Sequence, residues 1–227
     1  TRPIPASAGR ELVAARLESI AVAMGRLLQR TALSINVKQR LDFSCALLDD
    51  QARLLVNAPH MPIHLGSMGL CVRKAIEACP VGPGEVLVTN HPGCGGSHLP
   101  DVTTVAPVHA EADGPCLGYV AVRAHHAEIG GTRPGSTPPF ATTLQEEGVV
   151  IPPTRLVTGG RVHLDVLERL LRESPWPSRR PGENLADLRA QLAATRHGVG
   201  ELRALAATMG TTPYLERAAG VREHAAR

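Results

Sequence analysis

Imidazole and carboxylate side chains, the groups that could bind a metal ion or move a proton, gather between residues 86 and 131. Five of the ten histidines lie from His91 to His126. Polar residues lie at the ends of two β-like runs in this stretch. They are Asn90, His91, His98, Asp101, His125, His126 and Glu128. Borderline divalent cations prefer such nitrogen and oxygen ligands. This stretch predicts a metal site formed by some of His98, Asp101, His125 and His126. The alternative is that His98 is an ordinary loop histidine and Asp101 an aspartate that caps a strand.

A β-hairpin explains how residues far apart in this stretch could meet. Strands predicted at 102–108 and 117–124 flank a turn at Asp113-Gly114. Pairing of these strands would bring Asp101 close to His125. Because neighbouring side chains on a strand point to opposite faces, only one of His125 and His126 can reach the same centre. The other histidine would then be structural or orient a ligand.

Other reactive residues give weaker signals. The glycine-rich loop around Cys94 matches neither a Walker sequence nor a dinucleotide fingerprint. No G-x-S-x-G elbow supports a serine nucleophile. Cys94 could be a nucleophile, although a small buried thiol is the commoner case. His60 and His64 lie in a proline-interrupted loop, where histidines satisfied by backbone or water are commoner than metal pairs.

Composition restricts the class of protein. The 227 residues suffice for one large domain or two small ones, and five aromatic residues leave the core to Leu, Val, Ile and Ala. A net charge of +3 without a dense basic patch argues against nucleic-acid binding. Five cysteines without a C-x-x-C pair indicate reduced thiols and a cytoplasmic protein. No apolar run approaches the ~18 residues of a membrane span, and we expect no signal peptide.

Hydrophobic periodicity predicts an α+β fold with mixed or antiparallel short strands, an N-terminal amphipathic helix and two C-terminal helices. The predicted helices cover 9–31, 67–79, 163–173 and 184–209, with a possible last helix in the tail. The predicted strands cover 43–48, 54–56, 86–89, 102–108, 117–124 and 149–151. Gly198 and Gly200 are expected to weaken or kink the long C-terminal helix.

Six motifs, in order, resemble the hydantoinase B/oxoprolinase family. They are R-x-D-F-S-C-A-L (40–47), H-M-P-I-H-L-G-S-M (60–68), G-G-S-H-L-P-D-V-T (95–103), R-A-H-H-A-E-I-G-G (123–131), P-G-S (134–136) and E-E-G-V-V-I-P-P-T-R-L (146–156). The family includes B-type subunits of N-methylhydantoinase and 5-oxoprolinase, with related subunits of acetone and acetophenone carboxylases. The resemblance implies one domain over 1–227, equivalent to the N-terminal portion of a longer subunit, with a helical C-terminal extension over 183–227.

The resemblance also implies a function and a set of site residues. An A-type partner with an actin-like ATPase fold would bind ATP and activate a cyclic amide, and this chain would complete ring opening in a hetero-oligomer. A divalent metal (Zn, Mn or Fe) would be held by Asp42, His98, Asp101 and His125. The implied catalytic residues are Arg123, His126 and Glu128. The implied substrate-positioning residues are Asn90, His91, Gly95 and Gly96.

Two differences from the family pattern leave alternatives open. The family usually reads N-D-P-Y where this chain has Asn90-His91-Pro92-Gly93, and its subunits are usually much longer. The favoured function is hydrolysis of a lactam or hydantoin. ATP-dependent ketone carboxylation is a second hypothesis. A truncated module that binds metal and partner without turnover is a third.

Overall fold

The computed structural model describes residues 6–58, 61, 64–135 and 138–225. Within these residues one antiparallel sheet has seven strands in the order β2-β1-β5-β4-β3-β6-β7. The strands are β1 (Phe43–Leu48), β2 (Leu54–Asn57), β3 (Val86–Thr89), β4 (Asp101–His109), β5 (Cys116–His125), β6 (Thr154–Thr158) and β7 (Arg161–Val162). The predicted α+β class is confirmed, and the sheet is antiparallel throughout rather than mixed.

Three long helices and several short ones surround this sheet. The helices are α1 (Ala6–Thr31), α2 (Ile35–Lys38), α3 (Leu65–Ala78), α4 (Leu144–Glu147), α5 (Leu164–Glu173), α6 (Pro181–Met209) and α7 (Thr211–Ala225). A short 3-10 helix at Pro92–Cys94 lies inside the glycine-rich loop. None of the described helices combines the length and hydropathy that a membrane span requires.

The two faces of the sheet are covered by different helices. Helices α1, α6 and α7 pack on one face, and α3 packs on the other. Side chains alternate accordingly along β1: Cys45 and Leu47 join the cluster with α1, whereas Ala46 and Leu48 contact the side of α3. The same alternation fixes which polar side chains of β1, β4 and β5 share the face of α3.

Helices α6 and α7 contribute to the core of the sheet. Leu202 and Ala206 of α6 belong to the same buried cluster as α1 and β5, and so does Tyr214 of α7. Helix α6 runs through Gly198 and Gly200 without a break. A side chain at position 198 would meet Met24 and Val120, so the glycine allows α6 to approach the sheet closely.

The last part of the sheet differs from the prediction. The strand predicted at 149–151 is wrong, because these residues form no ladder. Their backbone is bonded instead to the side chain of Asn90, which accepts from the Ile151 N–H at 2.7 Å. Pro152 and Pro153 cannot donate to a neighbouring strand, and the chain resumes pairing only after them, in β6 and β7.

Candidate metal centre

Asp101 and His125 lie side by side at one end of the sheet. They are paired residues of β4 and β5, and the His125 Nδ1 atom lies 3.0 Å from Asp101 Oδ1. Asp101 is buried and His125 is half-buried. The proximity predicted from the hairpin is therefore confirmed, because antiparallel pairing places the first residue of β4 opposite the last residue of β5.

Two further side chains complete this arrangement. His64, buried at the start of α3, places Nε2 3.6 Å from Asp101 Oδ1 and 3.9 Å from Asp42 Oδ1. Asp42 precedes β1, and its Oδ2 atom lies 3.9 Å from His125 Nδ1. The other ring nitrogen of His64 is hydrogen-bonded to Ser44 Oγ at 3.1 Å. We call Asp42, His64, Asp101 and His125 the acid–histidine cluster.

His98 borders the cluster without entering its network of close nitrogen–oxygen contacts. Its ring centroid lies 5.0 Å from that of His125, with the planes tilted by 39°. Its neighbour Ser97 donates a hydrogen bond of 2.5 Å to Asp101 Oδ2. Burial lowers the pKa of His98 despite the nearby Asp101. A neutral imidazole next to the cluster can bind a metal or accept a proton.

The electrostatics of the cluster favour an ionised carboxylate. Burial opposes ionisation of Asp101, but hydrogen bonds with His125, His64 and Ser97 outweigh it and hold its pKa well below the usual range. Burial also opposes protonation of His125, yet the neighbouring Asp101 and Asp42 carboxylates raise the pKa of that imidazole. Asp101 therefore remains a strong acceptor, which is what a cation or an imidazolium requires.

The residues present fit a divalent metal in chemistry and approximate spacing. In the described part of the chain, no group of three or more His, Cys, Asp or Glu side chains is arranged so that it could hold a metal ion as it stands. The four nitrogen–oxygen pairs of the acid–histidine cluster nevertheless lie 3.0–3.9 Å apart. Neighbouring ligand atoms lie about 3.3 Å apart around a tetrahedral zinc ion with bonds of about 2.0–2.1 Å. Two carboxylates with two imidazoles are a set of donors that suits zinc, manganese or iron.

His126 lies on the opposite face of the sheet from the cluster. It is fully buried, with Nε2 3.0 Å from Gln191 Oε1 and Nδ1 3.1 Å from Asn184 Nδ2, both on α6. Burial lowers its pKa. The structure does not bring this predicted catalytic residue to Asp101, and its contacts are those of a satisfied core histidine.

Glu128 also faces away from the cluster. Its Oε1 atom accepts hydrogen bonds from the Gly130 N–H at 2.7 Å and from Arg179 Nη1 at 2.8 Å. Its Oε2 atom accepts from Ser178 Oγ and the Arg179 N–H, each at 2.8 Å. These contacts fasten the segment after β5 to the segment before α6, so the geometry supports a structural role for this predicted catalytic carboxylate.

Glu128 should make stability depend on acid pH. Burial would raise its pKa, but the hydrogen bonds from Ser178, Gly130 and Arg179 prevail and lower it. Its stabilising contribution is full above the carboxyl pKa of the unfolded chain, about 4.3, and is lost as the pH falls through the lower folded value. Glu128→Gln should cost roughly 2 kcal/mol at neutral pH. The loss should shrink below pH 4 in urea unfolding measured across pH; a pH-independent difference would contradict this role.

Arg123 is the third predicted catalytic residue, and the structure buries it completely. It lies on the face of α3, two residues before His125, and donates hydrogen bonds to Thr103, Ser67 and Gly95. Its nitrogens are bonded within the protein, so the geometry does not present this guanidinium to a substrate.

The four predicted substrate-positioning residues lie in and before the glycine-rich loop. Asn90 is buried, and its amide nitrogen donates to the carbonyls of Leu99 and Val149 at 2.8 Å each. His91 caps the 3-10 helix, accepting from the Gly93 N–H at 3.0 Å. Gly95 and Gly96 pack closely on the backbones of α3 and residues 90–91, respectively. Asn90 supports the loop, and the substrate roles remain predictions.

His64 belongs to the cluster although its loop position did not favour a metal ligand, and Cys94 remained a possible nucleophile. The motif at 60–68 contains His64 and could have indicated a site residue. The spacing of residues, however, does not predict that this loop returns to the ends of β1 and β4. His60 lies outside the described residues. Cys94 is buried, and burial raises the pKa of its thiol, which disfavours the thiolate that a nucleophile needs.

A groove elsewhere on the molecule lacks comparable chemistry. It has a volume of about 430 Å³ and lies between α1, α6 and α7. Its walls include Leu12, Val13, Ile20 and Leu205, whereas the acid–histidine cluster lies on the other face of the sheet. We therefore place the candidate site at the cluster.

Comparison with known proteins decides the family. A family model described as hydantoinase B/oxoprolinase matches residues 8–227. The chain belongs to this family. The hydantoinase B/oxoprolinase chain is 42% identical to the 5-oxoprolinase of Saccharomyces cerevisiae over 218 residues. That alignment covers 92% of this chain but 17% of the yeast protein.

Two solved structures share the fold of this hydantoinase B/oxoprolinase chain. An ATP-dependent caprolactamase from Pseudomonas jessenii superposes with a TM-score of 0.85 at 26% identity, covering 99% of this chain and 38% of that one. A nucleotide-free acetone carboxylase gives a TM-score of 0.81 at 20% identity, covering 92% and 28%, respectively. The chain therefore corresponds to a minor part of each larger protein.

Proposed function

We propose that this chain is the metal-binding part of an ATP-dependent cyclic-amide hydrolase of the 5-oxoprolinase or hydantoinase type. The observation that carries the proposal is the acid–histidine cluster, which brings together Asp101 of β4, His125 of β5, His64 at the N-cap of α3 and Asp42 on one face of the sheet. The similarity to a yeast 5-oxoprolinase and to a caprolactamase supports a ring amide as the substrate. Their names both denote enzymes that act on lactams.

The cluster residues would hold the metal, and their neighbours would tune it. Asp42, His64, Asp101 and His125 supply the proposed ligands, and His98 remains a further predicted ligand or proton acceptor beside them. When bound, a divalent metal polarises a carbonyl oxygen or lowers the pKa of a water molecule. Ser44 fixes the orientation of His64 through Nδ1, and Ser97 fixes that of Asp101 through Oδ2.

ATP chemistry is assigned to a partner in this proposal. The chain has no Walker sequence, and its glycine-rich loop leads through a 3-10 turn towards a strand rather than into a helix. An A-type ATP-binding subunit or domain would activate the amide, and the complex would work in the cytoplasm. The small share of the larger relatives that this chain spans supports the need for additional segments.

Turnover assays with the chain and an A-type partner test the proposed function. The reaction mixture contains ATP, Mg²⁺ and Mn²⁺ or Zn²⁺, with 5-oxoproline, caprolactam or hydantoin in separate samples. We expect ring opening coupled to ADP formation for at least one cyclic amide. Omission of ATP or of this chain should abolish it.

The same assay distinguishes the other two hypotheses. Acetone and acetophenone with bicarbonate are supplied in parallel samples. Ketone consumption without amide hydrolysis would contradict the proposal and identify a carboxylase. Metal binding without any product would instead favour a non-catalytic module. The Asp101→Asn variant serves as the matched inactive control for every substrate.

A further inference from the structure

Arg123 joins three separate segments directly beneath the acid–histidine cluster. Its Nε atom donates to Thr103 Oγ1 on β4 at 2.8 Å. Its Nη1 atom donates to Ser67 Oγ in the first turn of α3 at 2.7 Å, and Nη2 donates to the Gly95 carbonyl of the glycine-rich loop at 3.3 Å. A planar guanidinium can make such divergent contacts, which a single ammonium group cannot reproduce.

The guanidinium of Arg123 is a buried positive charge. The side chain is fully buried, and all three acceptors are neutral. Across the described ranges, no carboxylate oxygen forms an ion pair with it within 4 Å. Burying an unpaired charge is costly, so a neutral side chain would be cheaper if hydrogen bonds alone were required.

The next pair of residues on the same face of the sheet belongs to the acid–histidine cluster. Arg123 pairs with Thr103 and Ser44 across the strands, one step along the same face from the pair of Asp101 and His125. Diagonal neighbours in a sheet lie about 7–8 Å apart, within reach of a long side chain. Arg123 therefore lies under a cluster that contains two carboxylates.

We propose that Arg123 is a positioning residue that fixes the spacing of the metal ligands. Through Ser67 it holds the first turn of α3, which begins immediately after His64. Through Gly95 it holds the loop that leads to His98. Its own strand carries His125, and its partner Thr103 follows Asp101 by two residues. One guanidinium thereby sets the relative positions of the segments that carry His64, His98, Asp101 and His125.

The experiment uses the whole 227-residue chain and two readouts. Imidazole ¹⁵N–¹H NMR of the metal-free protein reports the ring of His64, and titration with Zn²⁺ reports affinity. We expect Arg123→Met to broaden or shift the His64 ring signals and to weaken zinc binding about 10- to 100-fold. Arg123→Lys should restore the charge but not the three contacts. Its zinc affinity should therefore lie between those of Arg123→Met and the wild type.

Arg179→Met is the matched control. Arg179 donates two comparable hydrogen bonds of 2.8 Å, to Glu128 and to the Gly131 carbonyl, away from the cluster. This control should lower the thermal midpoint while leaving the His64 signals unchanged and the zinc affinity within twofold. Unchanged His64 signals and zinc affinity in Arg123→Met would overturn the inference.

Milder variants keep the inference testable if Arg123→Met does not fold. Ser67→Ala and Thr103→Val each remove one acceptor and should each weaken zinc binding a few-fold, with the larger change at His64 in Ser67→Ala. Wild-type zinc affinity and wild-type His64 signals in both variants would contradict the proposed role of Arg123. The zinc readout rests on the proposed function, whereas the imidazole readout does not. Wild-type protein that binds no zinc would count against the proposed function, and the His64 signals would still decide the role of Arg123.

Discussion

Replacement of Asp101 by asparagine is expected to weaken binding of Zn²⁺ or Mn²⁺ roughly 100-fold or more, since loss of an outer partner alone typically costs 10- to 100-fold. The asparagine side chain would keep the size of the aspartate but lose its charge. The Oδ1 atom of Asp101 lies within 3.6 Å of both His125 and His64, so it is the most central oxygen of the cluster. Competition with a chromophoric chelator measures the affinity, and Asp101→Ala should leave the purified protein without metal by elemental analysis.

Asp187→Asn provides the control for a general loss of stability. Asp187 is another buried carboxylate, and its Oδ1 atom accepts from the Leu33 and Ser34 N–H groups at 2.7 and 3.1 Å. It lies on α6, which covers the other face of the sheet. Its replacement should lower stability but leave metal affinity within twofold. Wild-type affinity in Asp101→Asn would remove this carboxylate from the ligand set.

Gly118→Ala is expected to destabilise the fold by about 4 kcal/mol, from backbone strain and overpacking together. Gly118 has φ of +139°, and a methyl group there would collide with the carbonyl oxygen of Leu48 on the adjacent strand. The collision lies at the pairing of β1 with β5, the strand that carries His125. For a chain of this size, the thermal midpoint should fall by roughly 8–16 °C.

Gly160→Ala separates strain from collision in the same measurement. Gly160 has φ of +79° in the turn between β6 and β7, and a methyl group there would meet nothing within 4 Å. Its replacement should cost only the left-handed backbone penalty, roughly 1–2 kcal/mol. Equal losses for the two variants, by calorimetry, would show that the contact with Leu48 does not govern the effect.

The central hairpin could be predicted because its signals are local. Two β-like runs and the Asp113-Gly114 turn set the register that pairs Asp101 with His125. Apolar periodicity predicted helices at 9–31, 67–79, 163–173 and 184–209, which correspond to α1, α3, α5 and α6, whereas the short helices α2 and α4 were not predicted. Strands β6 and β7 were not predicted, because they are short and follow two prolines, which are typical of the end of a strand.

The composition of the cluster depends on contacts between distant segments. His64 reaches Asp101 only because α3 packs on the sheet, and no spacing in the sequence encodes that distance. Residue type also misleads at His126 and Glu128, which are chemically competent yet bonded to α6 and the segment before it. Successive side chains along an extended chain point to opposite faces of the sheet. His125 therefore faces the cluster, whereas His126 faces α6.

Anomalous X-ray diffraction from crystals of this chain grown with Zn²⁺ or Mn²⁺ can locate the proposed metal. We expect one strong peak at the metal absorption edge, bounded by the carboxylates of Asp42 and Asp101 and by the imidazoles of His64 and His125. Data collected below the edge should lack that peak. A fully bound ion located elsewhere, with these four side chains unchanged, would contradict a metal centre at the acid–histidine cluster.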